Sequence, residues 1–234
     1  MTIKHREPFL NHLANRLGRE PKTSVQRPTW TYEPQKELYN HLSVPELVTM
    51  LEKQCATIHT TFKRTTKQQL AQTLQTILDE IRAHSIMMPQ DKRTKKLGLE
   101  PFFAQLEETG KQVRVWENMS KQAAVTFAEQ ADVGIAYSDI TLAESGTVTL
   151  LHNDAHGRTL TLLPKTFIAI IEKETIVPRL TEAVAQIRKR QENDSTFPTC
   201  ISFVSGPSNS ADIELNLIVG VHGPVQAYYI YIDE

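Results

Sequence analysis

Two cysteines in 234 residues, Cys55 and Cys200, stand far apart, and neither belongs to a CxxC spacing. That excludes a disulfide scaffold, and because an iron–sulfur cluster takes about four thiolates, this chain cannot hold one by itself. Long apolar runs are missing too. No stretch approaches the roughly 18 residues of a membrane span, and the start MTIKHREPFLNHLANRLGRE is charged where a secretory signal would need an apolar segment. The expected location is the cytoplasm, without a membrane span. An excess of one charge is also absent, with 26 Lys/Arg against 27 Asp/Glu. The charges are unevenly placed: residues 1–100 carry 16 basic and 10 acidic side chains, residues 101–234 carry 10 and 17. The basic residues are interleaved with Glu, Gln and Thr rather than gathered into a stripe, so nucleic acid is not the expected partner. What remains is ordinary globular composition, 40% hydrophobic with nine glycines. A chain of this size buries roughly 70–75% of its unfolded surface, and one domain with an appendage is expected.

The appendage is the opening stretch. Pro8, Pro21, Pro28 and Pro34 permit only a short amphipathic helix, Phe9 to Arg16, followed by an extended arm carrying Trp30 and Tyr32. Such an arm cannot bury its own aromatics, so both rings are expected to dock on the main body or on another subunit. Residues 1–42 are taken as this arm and 43–234 as an α/β domain. Ser43-Val-Pro-Glu46 reads as a capping box, and Leu47, Met50, Leu51 and Ile58 share one helical face. Leu70, Leu74, Ile77, Leu78 and Ile81 continue the 3.6-residue period in a second helix, roughly 67–84. Ser85–Pro89 and Val113–Trp116 read as strands, 101–108 and 118–130 as helices. From 132 onward the texture turns β-rich: 132–136, 147–151, 159–163 and 167–171 are short apolar runs. A helix over 181–191, a strand over 199–204, a helical turn over 211–217 and a final strand over 225–232 complete the reading. This alternation predicts a three-layer α/β sandwich with a mainly parallel sheet and an inserted antiparallel hairpin.

Four places could carry chemistry. Ala143-Glu-Ser-Gly-Thr147 sets Glu144, Ser145 and Thr147 around a glycine at a strand entry. Glu144 there is a base or nucleophile if desolvated, or the bend is structural and Glu144 pairs with a cation. Ser205-Gly-Pro-Ser-Asn-Ser-Ala-Asp212 follows a strand and precedes the expected helical turn. Ser205, Gly206, Ser208, Asn209 and Ser210 are therefore either an anion cradle of backbone amides or a helix cap; the spacing is neither a Walker loop nor GxGxxG. His222, between Gly220 and Gly223, is a proton-transfer candidate or a turn residue. Arg158 carries a planar fork suited to a carboxylate or phosphate. The nearby His152, Asp154 and His156 are a weak spacing for a metal, and none is expected.

AESGTVTLL, GRTLTLLPKTFIAII and SGPSNSADIELNLIVGVHGP, in that order, together with REPFLNHLANRLGRE and the capped helix at Ser43, resemble the LUD-domain family over essentially the whole chain. The family's usual spelling at the first box is ETGT, from which Ser145 departs. The resemblance implies a fold similar to the NagB/RpiA/CoA-transferase class. It also implies a role in oxidising L-lactate to pyruvate alongside two separate iron–sulfur proteins, with no cofactor bound by this chain and self-association left open. The competing reading is a stand-alone enzyme on a small anionic or CoA-like substrate, using Glu144 and the Ser205–Ser210 loop.

Overall fold

A computed structural model describes residues 4–22, 24, 26, 28–193, 197–198, 200–210 and 218–233. The chain divides into two compact units, residues 1–37 and 38–234. In the first, helix α1 (Arg6–Arg16) forms as the proline spacing allows, with Phe9 and Leu13 exposed on it, and Trp30 and Tyr32 are 71% and 74% exposed.

The second unit opens with α2 (Val44–Thr57), where the Glu46 carboxylate accepts hydrogen bonds from the Ser43 backbone N–H (2.8 Å) and hydroxyl (2.6 Å) and Pro45 occupies the first turn. Strand β1 (Thr60–Thr65), α3 (Leu70–Glu80), β2 (Ser85–Met88), α4 (Lys92–Lys96), α5 (Glu100–Glu108), β3 (Gln112–Val115), α6 (Lys121–Gln130) and β4 (Val133–Tyr137) follow. The hairpin β5 (Ile140–Leu142) and β6 (Thr147–Leu151) leads to α7 (Thr159–Leu162) and β7 (Thr166–Glu172). Then come β8 (Ile176–Val177), α8 (Leu180–Asn193), β9 (Ile201–Val204), β10 (Asn209–Ser210), β11 (Ile218–Val219) and β12 (Gln226–Ile232).

Six strands form one parallel sheet in the order β1-β12-β7-β4-β2-β3. Side chains alternate across it, so Ile168 and Ile170 join one core with Leu70, Leu74, Ile77 and Leu78 of α3 and Phe103 and Leu106 of α5. Phe167, Ala169 and Ile171 face the other way, into a core with Leu47, Val48 and Leu51 of α2, Ala124 of α6 and Leu160 of α7. That second core is closed by a smaller sheet, β8-β5-β6-β9, whose Val148, Leu150 and Ile176 point inward. Its opposite side, with Ile140, Leu142 and Val177, packs against Ala183 and Ile187 of α8. The apolar strand 167–171 is thus covered on both sides, as its composition requires.

Three sequence expectations change. Thr159–Leu163, read as a strand, is helix α7. Its burial follows a helical period, with Leu160 and Thr161 inside and Leu162 and Leu163 exposed, and Pro164 ends it. A Cβ on Gly134 would lie 2.1 Å from the Leu160 carbonyl oxygen, so the bare glycine in β4 is what lets this helix lie on the sheet. Thr60–Thr65 and Ile140–Leu142 are strands that the pattern did not mark. Strand β1 lies at a sheet edge, where TTFKRT needs only one neighbour and tolerates polar residues. Asn209–Ser210 does not start a helix but pairs antiparallel with Ile218–Val219; the expected helical turn over 211–217 lies outside the described residues.

Candidate functional site

All six strands of the large sheet run the same way, so it has an amino-terminal rim and a carboxyl-terminal rim. The serine–glycine bends meet on the amino-terminal one. Gly146 (φ +62°) and Gly206 (φ +77°) both press on Ile58, just past α2: a Cβ would lie 2.7 Å from the Ile58 side chain in the first case and 2.4 Å from its carbonyl oxygen in the second. Only glycine combines that backbone conformation with that contact. The Thr147 hydroxyl sits 2.7 Å from both the Ser145 and the Ser205 hydroxyls, linking the two bends. The buried Tyr229 hydroxyl donates to the Val204 carbonyl (2.9 Å) and accepts from the Gly206 N–H (3.1 Å), and burial pushes its phenol pKa up. The Ser208 N–H donates to the Pro224 carbonyl and the Gly220 N–H to the Ser208 carbonyl, both at 2.8 Å. The glycine–histidine–glycine turn and the serine loop are thereby sewn together.

Ser205, Gly206, Ser208, Asn209 and His222 consequently line one cavity of about 290 Å³. Thr147 supports it from behind through Ser205, and Ser210 sits in the β10 pairing opposite Ile218. The anion-cradle geometry read from the sequence is altered here: the Gly206 and Ser208 amides already donate within the protein, and strand β10 stands where a helix start was expected. Glu144 is half-buried and pairs with Arg179 at 3.0 Å. Arg158 does not join this cavity. It lines a separate groove with Trp116, Lys121 and His156.

At the carboxyl-terminal rim the structure gathers a cluster that sequence reasoning missed. After β2 the chain leaves through α4 and α5 towards β3; after the adjacent β4 it leaves the other way, towards β7. Open α/β sheets bind ligands at such a switch point, and polar residues follow both strands, Gln90 and Asp91 beyond β2, Ser138 and Asp139 beyond β4. Arg93 donates from Nε and Nη2 to both Asp91 oxygens (2.9 and 2.7 Å), reaches Asp139 at 3.1 Å, donates to the Ser138 carbonyl at 3.0 Å, and lies over the Tyr137 ring. Burial opposes the charge on Asp91, yet the Arg93 fork holds its pKa below the usual value; burial raises that of Asp139. The His152 and His156 rings pack edge to face at 5.0 Å beside this network. Burial lowers the pKa of both, that of His156 to about 3, so both imidazoles are neutral near pH 7. A cavity of about 550 Å³ opens between Asp91, Arg93, Asp139 and His156. The strand ends were legible in the sequence; their adjacency was not.

Both nitrogens of His152 are engaged, Nε2 with the Ser202 hydroxyl at 2.7 Å and Nδ1 with the His156 carbonyl at 3.2 Å. Among the described residues no three His, Cys, Asp or Glu side chains converge as metal ligands, and no helix is long and apolar enough to cross a membrane. Cys55 is buried, its thiol pushed up to about 12 by desolvation, and Cys200 is half-buried.

Comparison with known proteins gives three results. The LUD-domain family model matches residues 48–232. Proteins named Lactate utilization protein C are similar over the full length: that of Oceanobacillus iheyensis is 47% identical, covering 100% of both chains, and that of Shouchella clausii is 46% identical over 99% of each. A solved DUF162-family structure from Deinococcus radiodurans superimposes with a TM-score of 0.61 at 21% identity, covering 82% of this chain and 99% of its own, which speaks to the fold.

Proposed function

Because the chain belongs to the LUD-domain family, we propose that it takes part in lactate utilization as a subunit of a cytoplasmic system that oxidises L-lactate to pyruvate. The two electrons released per lactate pass through iron–sulfur clusters of separate partner proteins, and this chain supplies binding surface or substrate handling. The observation that carries the reading is full-length similarity, end to end, to proteins named for lactate utilization. Two features support the division of labour. The isolated Cys55 and Cys200, one buried and one half-buried, cannot ligate a cluster that takes about four thiolates. Around the amino-rim cavity, Leu162, Phe203, Ile218, Val219, Val221 and Val225 are exposed, an apolar surface of the kind that partner proteins cover. Deletion of the gene should abolish growth on L-lactate but not on glucose, and the tagged chain should co-purify with iron–sulfur proteins. Unimpaired growth of the deletion strain on L-lactate would refute the reading.

A further inference from the structure

The groove that holds Arg158 has a volume of about 650 Å³ and lies between Trp116 at the end of β3, Lys121 at the start of α6 and the loop 152–159. Its charge is lopsided. Lys121 and Arg158 form no ion pair among the described residues, whereas Arg93, Lys165 and Arg179 all pair with carboxylates. Among the described residues of the lining Asp154 is the one acidic side chain, and His152 and His156 add no charge while neutral. Two residues that line the groove carry buried side-chain atoms without a hydrogen-bond partner, His156 Nε2 and Thr159 Oγ1, two of the four such atoms among the described residues. Buried polar atoms are ordinarily satisfied, so this part of the wall is stabilised by any polar partner that reaches it.

The loop is held rather than loose. Gly157 lies so close to the Trp116 indole that a Cβ would come within 2.0 Å of it. The Gln90 N–H donates to the Ala155 carbonyl at 3.3 Å, and the Asn153 side chain accepts from the Ala155 N–H at 2.9 Å. A cation on a fixed loop beside a second at a helix start is an arrangement that holds an oxyanion, Arg158 through its fork and Lys121 as a point charge.

We propose that this groove binds a small organic anion whose carboxylate or phosphate group sits between Arg158 and Lys121. The inference rests on the groove's geometry and not on the growth phenotype, so either can fail without the other.

Isothermal titration of the purified full-length protein with L-lactate, pyruvate and inorganic phosphate tests it, with Arg158→Gln, Lys121→Gln and, as a charge control on α8, Lys189→Gln. At least one probe should bind, with affinity about 10- to 100-fold weaker in either groove variant, the range for a lost charged hydrogen bond, and unchanged in the control. Binding of the organic acids alone identifies a carboxylate ligand, and of phosphate alone a phosphoryl one. Both groove residues are on the surface, and thermal melting checks that each variant is folded. Absence of binding by all three probes, or binding that survives both groove substitutions, overturns the proposal.

Discussion

Replacing Gly206 by alanine puts the amino-rim architecture to a quantitative test. Two costs are expected. Holding a residue with a Cβ at φ +77° costs about 1–2 kcal/mol. The added methyl would sit 2.4 Å from the Ile58 carbonyl oxygen and 2.8 Å from the Thr60 hydroxyl, and forcing one carbon into a packed site costs about 1–3 kcal/mol more. Gly98 separates the two contributions. Its φ is +69°, but nothing lies within 4 Å of its ideal Cβ, so Gly98→Ala carries the backbone cost alone. For a chain of this size each kcal/mol moves the melting temperature by roughly 2–4 °C. Gly206→Ala should therefore melt roughly 2–12 °C below Gly98→Ala, measured side by side by circular dichroism. Equal melting temperatures for the two variants would refute the claim that the serine loop is seated directly on the backbone after α2.

Two further outcomes follow from the site chemistry. The folded protein keeps His156 neutral down to about pH 3 while the unfolded chain takes up the proton near 6.5, so stability falls on acidification through that interval by at most about 1.4 kcal/mol per pH unit from this group. Asp132, lowered to about 2 despite partial burial by hydrogen bonds from His84, Ser85 and Lys165, adds a further loss between about pH 4 and 2. His156→Gln should give a shallower dependence of the urea midpoint between pH 7 and 5, and an unaltered slope would show that the imidazole is not held neutral. Glu144→Gln breaks a half-exposed ion pair with Arg179, so the stability change should stay within about 1 kcal/mol, with growth on L-lactate retained; loss of growth at unchanged melting temperature would instead favour the nucleophile reading.

The elements legible in the sequence are those whose evidence is local. Ser43 and Glu46 cap α2 through contacts three residues apart, the leucines of α3 repeat at helical spacing, and Phe167–Ile171 is apolar on both faces. Thr159–Leu163 failed because a five-residue apolar run fits either period, and Gly134 on a different strand decides the outcome. For the site, the bends at Gly146 and Gly206 were recognisable as turns; that they share Ile58 and a Thr147–Ser205 hydrogen bond spanning 58 residues was not.

The sequence by itself determined the capping box of α2, the helical spacing of α3, the apolar strand 167–171 and the family, all of which depend on residue type or on neighbours within a few positions. Tertiary structure decided the order of the strands, and with it everything about where chemistry can sit. Asp91 and Asp139 share Arg93 only because β2 pairs with β4, and Arg158 parts from His222 because loops at different places around one sheet open into different cavities. Strand order is fixed by backbone pairing between segments distant in sequence, and backbone hydrogen bonds are the same for every residue type, so no local pattern can announce it.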